Sequence, residues 1–118
     1  MKNLKVTAII ACAGKGSRSG QKENKIFSKI DGQSLVYKTV KTFSEIKPID
    51  DIIVVYSSGE KEKIKKELSS ISKPIIYIEG GETRFQSVKN ALFTIDDGAV
   101  LIHDGARPFI KKEDISIF

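Results

Sequence analysis

The sequence predicts a doubly wound α/β domain, in which helices cover both faces of an open, mostly parallel sheet. Short β-rich apolar runs alternate along the chain with segments whose apolar residues recur at helical spacing. The runs are apolar throughout, so we expect them to be buried on both faces, as strands of parallel sheets are. When a helix connects two parallel strands of one sheet, the connection is almost always right-handed. The alternation of strands and helices therefore favours a single open parallel sheet. A chain of 118 residues with 40% hydrophobic residues suffices for one such domain.

Four strands and three helices are expected, in alternating order. The strands are KVTAIIA, DIIVVY, PIIYI and AVLIH. The helices are marked by apolar residues at i, i+3, i+4 or i+7 spacing, and the three stripes are Leu35, Val36, Val40 and Phe43, then Ile64, Leu68 and Ile71, then Phe85, Val88 and Leu92. All three stripes are expected to be core. The charge run KEKIKK is interpreted as the solvated face of the second helix.

The charge balance favours an anionic partner, because 20 Lys and Arg against 15 Asp and Glu give a net charge of +5. Nucleic acid is not expected, since aromatic side chains do not interleave with the basic ones as base stacking requires. The apolar run after Lys5 is too short for a signal peptide, and no run approaches the ~20 residues of a membrane span. With a single cysteine, these features predict a soluble cytoplasmic protein without a membrane partner.

The loops after the strands should carry the chemistry, because ligands of open parallel sheets bind at the carboxyl ends of the strands. The first loop, ACAGKGSRSG, contains a GxG at Gly14 and Gly16, but Ser19 stands where a dinucleotide fingerprint has its third glycine. A nicotinamide dehydrogenase is therefore disfavoured. A glycine-rich turn can still bring backbone amides close to phosphate, although a plain strand-to-helix turn with solvated lysines is the alternative. The cations available there are Lys15, Arg18, Lys22 and Lys25.

The loop HDGARPF adds a candidate metal ligand. His103 and Asp104 are adjacent at a strand end, so their side chains should leave on opposite faces and cannot form a catalytic pair. Asp104 suits Mg²⁺, which takes one or two carboxylates together with substrate phosphate oxygens. Arg107 would then be an anion ligand beside it. The alternatives are a turn cap for Asp104 and a neutral structural histidine for His103.

Together, AGKGSR with Lys25 beyond it, GGETRFQSV and HDGARPF resemble the signatures of the 2-C-methyl-D-erythritol 4-phosphate cytidylyltransferases in order and spacing. The resemblance covers nearly the whole chain and implies a Rossmann-like fold of the sugar nucleotidyltransferase type. It also implies transfer of CMP from CTP to 2-C-methyl-D-erythritol 4-phosphate, with release of pyrophosphate, in the non-mevalonate route to isoprenoid precursors. Ribitol 5-phosphate cytidylyltransferases carry similar strings and are the alternative. A CTP-binding module without catalysis is an alternative of another class.

The resemblance also implies roles by position. Arg18 and Lys25 fall on the cationic pair that stabilises the α-phosphate during transfer, and Asp104 falls on the magnesium ligand. The CTP-binding positions are Ala11, Cys12, Ala13, Gly14, Gly16, Gly81, Glu82, Ser87 and Gly105. Lys15, Arg84 and Arg107 are further possible ligands of the substrates.

Members of this family continue well beyond the final KKEDISIF. Residues 1–118 are therefore interpreted as the nucleotide-binding, N-terminal portion of a longer family domain that is apparently truncated here. The resemblance implies that the missing part supplies the polyol phosphate site and the contacts of a homodimer. We accordingly expect the 118-residue chain to be inactive in transfer when it is alone.

Overall fold

The computed structural model describes residues 5–13, 25–95 and 98–105. In this part of the chain, six strands and three α-helices follow one another, with a short 3-10 helix at Lys25–Phe27. The strands are β1 (Val6–Ala11), β2 (Lys29–Ile30), β3 (Gln33–Ser34), β4 (Asp51–Tyr56), β5 (Ile75–Glu79) and β6 (Ala99–Asp104). The helices are α1 (Leu35–Ser44), α2 (Lys61–Glu67) and α3 (Arg84–Leu92).

The main sheet has four parallel strands in the order β5-β4-β1-β6, which confirms the predicted parallel α/β architecture. The chain moves outward from β1 to β4 and β5, then returns to place β6 on the other side of β1. The point at which the strand order reverses is the topological switch point of a doubly wound sheet, where a ligand crevice opens at the carboxyl ends of the strands. Here that crevice lies between β1 and β6.

Burial follows position in the sheet. The central strands β1 and β4 are buried along their whole length, as predicted. The expectation of burial on both faces is wrong for β5 and β6, whose residues are only partly buried or exposed. These two strands are the edges of the described sheet, and each has one neighbour instead of two. An all-apolar strand sequence indicates burial but does not say which strands lie at the edge.

The two faces of the sheet carry two separate apolar clusters. Alternate residues of β1 point to opposite faces, so Ile10 joins the cluster under α1 and α2 whereas Ile9 joins the cluster under α3. The α1 and α2 face is well covered, and Phe43 and Ile64 are almost completely buried there. The first two predicted helical stripes are thus confirmed as core, and the charged residues of α2 form its solvated face.

The third predicted stripe is only partly core, which corrects the expectation for α3. The residues of α3 that are buried against the sheet are Ser87 and Ala91. Phe85 and Leu92 are 76% and 41% exposed. Helical spacing identified an apolar face correctly, but the described structure places no element over most of it.

A β-hairpin that the helix and strand periodicity did not predict precedes α1. Strands β2 and β3 pair antiparallel across Asp31 and Gly32, whose φ angles are 55° and 81°. Two consecutive positive φ angles define the tight hairpin turn that Asp-Gly favours. Ser34 then caps α1, since its hydroxyl accepts a hydrogen bond from the Tyr37 N–H at 3.2 Å. Among the described residues, no helix combines the length and the apolar character that crossing a bilayer demands.

Candidate active site at the carboxyl edge of the sheet

The carboxyl end of β1 is held on both sides by backbone hydrogen bonds. The Cys12 N–H donates to the Val55 carbonyl at 2.8 Å, which continues the pairing with β4. On the other side, the Gly105 N–H donates to the Ala11 carbonyl at 2.9 Å, which continues the pairing with β6. The predicted nucleotide-binding positions Ala11 and Gly105 therefore lie next to each other at the switch point. Their backbone is fixed before any ligand arrives.

Gly105 lies against the first loop so closely that a side chain would not fit. A Cβ atom at this position would lie 2.6 Å from Cys12 Sγ and 3.3 Å from the Ala11 carbonyl oxygen. The Gly105 carbonyl accepts a buried hydrogen bond of 3.0 Å from the hydroxyl of Thr39 on α1. The loop after β6 is thus tied to both β1 and α1.

The loop after β5 approaches the same edge from the other side. A Cβ atom on Gly80 would lie 2.6 Å from both Ala13 Cβ and Ser87 Oγ. The buried Ser87 hydroxyl accepts a hydrogen bond of 3.1 Å from the Gly81 N–H. Thr83 caps α3 through a 3.0 Å hydrogen bond from the Gln86 N–H. The structure therefore brings Ala13, Gly81 and Ser87 together. Glu82 is exposed, in the short segment between Gly81 and the start of α3.

The side chains of His103 and Asp104 diverge, as the sequence predicted. His103 lies on the α1 face, where its ring is 5.1 Å from that of Phe43. Asp104 lies on the α3 face, where Arg84 Nη1 is 3.9 Å from its Oδ2. Arg84 and Asp104 line an open cleft of about 450 Å³ together with Ile102 and His103. His103 is therefore placed as a packing residue, and Asp104 faces open space.

The Lys25 side chain lies on the surface, and the two residues that follow it are buried. Lys25 begins the 3-10 helix at Lys25–Phe27, in which Ile26 and Phe27 are buried. These two side chains belong to the same apolar cluster as Cys12. Burial of the following residues leaves the Lys25 side chain exposed. The other predicted cation, Arg18, lies outside the described residues, as do Gly14, Lys15, Gly16 and Arg107.

The residues at the edge of β6 fit a magnesium ion that is held mainly by its substrate. The described residues contain no group of three His, Cys, Asp or Glu side chains that could hold a metal by themselves. Asp104 is a single carboxylate whose side chain is 40% exposed beside an open cleft. This is the donor set expected when phosphate oxygens and water complete the coordination of Mg²⁺.

Two contacts at this edge were not predicted from the sequence. Gly80 approaches Ala13 closely, and the pair of glycines after β5 was the available signal. Thr39 anchors Gly105, and its position between Val36 and Val40 in the apolar stripe of α1 was the available signal. Both residues position the backbone of predicted binding residues.

We expect Thr39→Val to lower the free energy of unfolding by about 1–3 kcal/mol, because the buried Gly105 carbonyl loses its hydroxyl donor. Thr42→Val is the matched control. The Thr42 hydroxyl bonds the Lys38 carbonyl within the same helix and is only partly buried, so that exchange should change stability much less. Urea unfolding of both variants measures the difference. Equal losses would show that the bond to Gly105 contributes nothing particular.

The Cys12 thiol should be unreactive in the folded protein. Burial raises the pKa of Cys12 far above its ordinary value, and the carboxylates of Asp104 and Glu60 raise it further. Above about pH 8.5 the unfolded chain loses a thiol proton that the folded chain keeps. The free energy of unfolding should therefore fall as pH rises, by up to about 1.4 kcal/mol per pH unit from this group.

Urea unfolding between pH 8 and 10 checks this prediction, with Cys12→Ala as the control that lacks the titrating thiol. The variant should show a shallower alkaline loss of stability than the parent chain. Thiol labelling at pH 8 should be slow in buffer and fast in urea. Parallel pH profiles, or fast labelling of the folded chain, would contradict the assignment.

A doubly wound sheet with close-packed glycine loops at the carboxyl ends of β5 and β6 is typical of nucleotide-binding α/β proteins. Comparison with known proteins identifies the family within this class. Residues 6–117 match the model of the IspD family, 2-C-methyl-D-erythritol 4-phosphate cytidylyltransferase. The chain belongs to this family.

Curated relatives agree with the family match. The chain is 44% identical over 117 residues to 2-C-methyl-D-erythritol 4-phosphate cytidylyltransferase of Clostridium perfringens (strain SM101 / Type A), covering 94% of this chain and 51% of the relative. It is 42% identical over 121 residues to the enzyme of the same name from Alkaliphilus oremlandii (strain OhILAs), covering 98% of this chain and 51% of that relative. The chain therefore spans about half the length of the curated relatives it matches.

Solved structures show the same fold. A 4-diphosphocytidyl-2C-methyl-D-erythritol synthase from Anaerococcus prevotii DSM 20548 superposes with a TM-score of 0.81 at 31% identity, over 96% of this chain and 48% of that one. The bifunctional IspDF of Campylobacter jejuni superposes with a TM-score of 0.75 at 30% identity, over 92% of this chain and 28% of that one. The fold expected from the resemblance is confirmed.

Proposed function

We propose that this chain forms the CTP-binding part of a cytidylyltransferase that acts on 2-C-methyl-D-erythritol 4-phosphate. The observation that carries the proposal is the family match over residues 6–117, which spans all three loops of the carboxyl edge. The relatives named above carry the methylerythritol phosphate name, which favours that acceptor over ribitol 5-phosphate.

In the proposed reaction, a phosphate oxygen of the acceptor attacks the α-phosphorus of CTP. The new P–O bond forms as the bond between the α-phosphorus and the bridging oxygen breaks, and pyrophosphate leaves with that bridging oxygen and its electron pair. Such a transfer needs in-line positioning and neutralised charge rather than covalent catalysis. Arg18 and Lys25 are proposed to stabilise negative charge on the α-phosphate. Asp104 would hold Mg²⁺, which neutralises charge on the phosphates when it is bound.

The base and ribose are proposed to lie beside the point where the end of β1 and the loop after β5 meet. Small residues line both sides, since Ala13 and Ser87 touch the position where a Gly80 side chain would be. The N–H groups and carbonyls of such loops can read the edge of a base without long side chains.

Calorimetry of the 118-residue chain against CTP, UTP, ATP and GTP, each with Mg²⁺, tests the nucleotide. We expect CTP to bind most tightly and Asp104→Asn to weaken CTP binding in the presence of Mg²⁺. Glu45→Gln removes one acidic charge at the exposed C-cap of α1, which is not assigned to the site, and serves to calibrate the effect of charge alone. Binding of ATP as tight as that of CTP would disprove the base pocket.

A pyrophosphate-release assay separates the enzyme from a CTP-binding module without catalysis. We expect no turnover by the chain alone, because the resemblance places the acceptor site outside these residues. The same assay with the chain joined to the unmatched part of the C. perfringens relative should show transfer to 2-C-methyl-D-erythritol 4-phosphate. CTP binding without release of pyrophosphate by this fusion would favour the binding module.

A further inference from the structure

Helix α1 contacts the end of β6 at two points that lie one helical turn apart. The Phe43 ring packs against His103, with 5.1 Å between the ring centroids. Thr39 precedes Phe43 by four residues, on the same face of the helix, and its hydroxyl donates to the Gly105 carbonyl at 3.0 Å. His103 and Gly105 are the two residues that flank Asp104. The helix therefore holds the chain on both sides of the predicted metal ligand.

The backbone that follows Asp104 is fixed from two directions. The Gly105 N–H donates to the Ala11 carbonyl at 2.9 Å, and the Gly105 carbonyl accepts the hydrogen bond from Thr39. A Cβ atom on Gly105 would lie 2.6 Å from Cys12 Sγ, so this residue also packs directly against the end of β1. Thr39 is fully buried, which keeps water away from its bond to Gly105.

The Asp104 side chain leaves the strand on the face opposite α1, beside the open cleft that it lines with Arg84. It is 40% exposed, and its ion pair with Arg84 is long at 3.9 Å. The direction of its Cα–Cβ bond is set by the backbone on either side, which α1 holds. A ligand side chain that is aimed before the metal arrives binds it more tightly than one that must first be ordered.

We propose that Thr39 is a positioning residue for the metal carboxylate. Its hydroxyl holds the Gly105 carbonyl, and this bond keeps Asp104 directed at a Mg²⁺ ion on the CTP phosphates. Phe43 supports the same strand end through His103. The proposal rests on the proposed function and extends it to a residue on the other face of the sheet, which acts through the backbone and not by touching the metal or the nucleotide.

The first experiment titrates the 118-residue chain with CTP in a calorimeter, once with Mn²⁺ and once with EDTA. Mn²⁺ accepts the same oxygen ligands as Mg²⁺. We expect Mn²⁺ to strengthen CTP binding to the parent chain and Asp104→Asn to abolish this gain. Thr39→Val should reduce the gain about tenfold, as removal of a group that orients a metal ligand does, and should change metal-free binding little. Thr39→Ser keeps the hydroxyl and should restore the gain.

A control variant separates positioning from general loss of stability. Ile64→Val removes a buried methylene group from α2, in the apolar cluster that also contains Phe43. It should destabilise the chain and leave the gain from Mn²⁺ unchanged. If Thr39→Val weakened CTP binding equally with and without metal, or if Ile64→Val reproduced its effect, the role of Thr39 would be structural only and the proposal would be overturned.

The second experiment needs no nucleotide, so it decides about Thr39 even if the parent chain binds no CTP and the proposed function fails. It follows hydrogen exchange of the Gly105 N–H by NMR, relative to the Ile9 N–H in the middle of β1. Thr39→Val should speed exchange at Gly105 by about tenfold or more relative to Ile9, because the strand end loses an anchor. Thr39→Ser and Ile64→Val should leave this ratio unchanged. Equal protection of Gly105 in the parent chain and in Thr39→Val would refute the positioning role.

Discussion

Replacing Lys25 with alanine should lower the rate of cytidylyl transfer by about 10²–10³-fold, with little change in melting temperature. The side chain is exposed, whereas Ile26 and Phe27 supply the buried contacts of this segment. Alanine therefore removes a charge and little apolar contact. A cation that acts on charge developing in the transition state affects the turnover number more than it affects binding of the ground state.

The measurement uses the fusion of this chain with the unmatched part of the C. perfringens relative, and it separates kcat from KM for CTP. Lys29→Ala is the matched control, because Lys29 is also exposed and lies four residues further on, in β2. It should retain the parent rate. A Lys25→Ala fusion that turns over normally would remove Lys25 from the proposed mechanism, as would a loss that Lys29→Ala reproduces.

Gly80→Ala should lower the free energy of unfolding by about 1–3 kcal/mol, which is a large change for one methyl group. The new Cβ would lie 2.6 Å from Ala13 Cβ and 2.6 Å from Ser87 Oγ. Neither is the far end of a long flexible side chain, so β1 or α3 must move. A third contact, to Val55 Cγ1, would be 3.1 Å long. The φ angle of Gly80 is not in the left-handed region, so the loss would come from these contacts and not from backbone strain.

A double-mutant cycle with Ala13→Gly tests the cause. Ala13→Gly alone should destabilise the chain slightly, through backbone entropy. In the Gly80→Ala background it removes one of the two close contacts, so the double variant should be more stable than the sum of the single changes predicts. If the two changes in the free energy of unfolding simply add, the Cβ atoms at positions 13 and 80 do not clash.

The parallel sheet could be predicted because its signal, an apolar run followed by a helical pattern, is local and recurs along the chain. Ile9 and Val54 lie in apolar runs between helical patterns, and both are fully buried as expected. The hairpin at Asp31 and Gly32 was missed even though Asp-Gly is a strong turn signal, because its strands are two residues each and show no alternation. Short elements defined by backbone conformation leave little trace in hydrophobic periodicity.

The candidate site was predictable in its location and less so in its contacts. The rule that loops gather at the carboxyl edge placed Ala11 and Gly105 in the same region, and the structure makes them hydrogen-bonded neighbours. The approach of Arg84 to Asp104 at 3.9 Å depends on how α3 lies across the sheet. The order of the strands decides where α3 lies, and the sequence around Arg84 and Asp104 does not encode that order. The exposure of Phe85 has the same origin, since periodicity reports an apolar face but not its partner.

The hydrogen bond from the Gly81 N–H to Ser87 Oγ has a consequence for how tightly a ligand can be held. It ties the loop after β5 to the first turns of α3, and the buried Ser87 is itself fixed against the sheet. Folding has therefore already removed the conformational freedom of this loop. Ordering a flexible loop around a ligand opposes binding, and a loop that is rigid beforehand avoids that entropy loss. This side of the candidate site can thus meet a ligand without rearranging, and Ser87→Ala should weaken the proposed binding of CTP, measured by calorimetry, by loosening the loop.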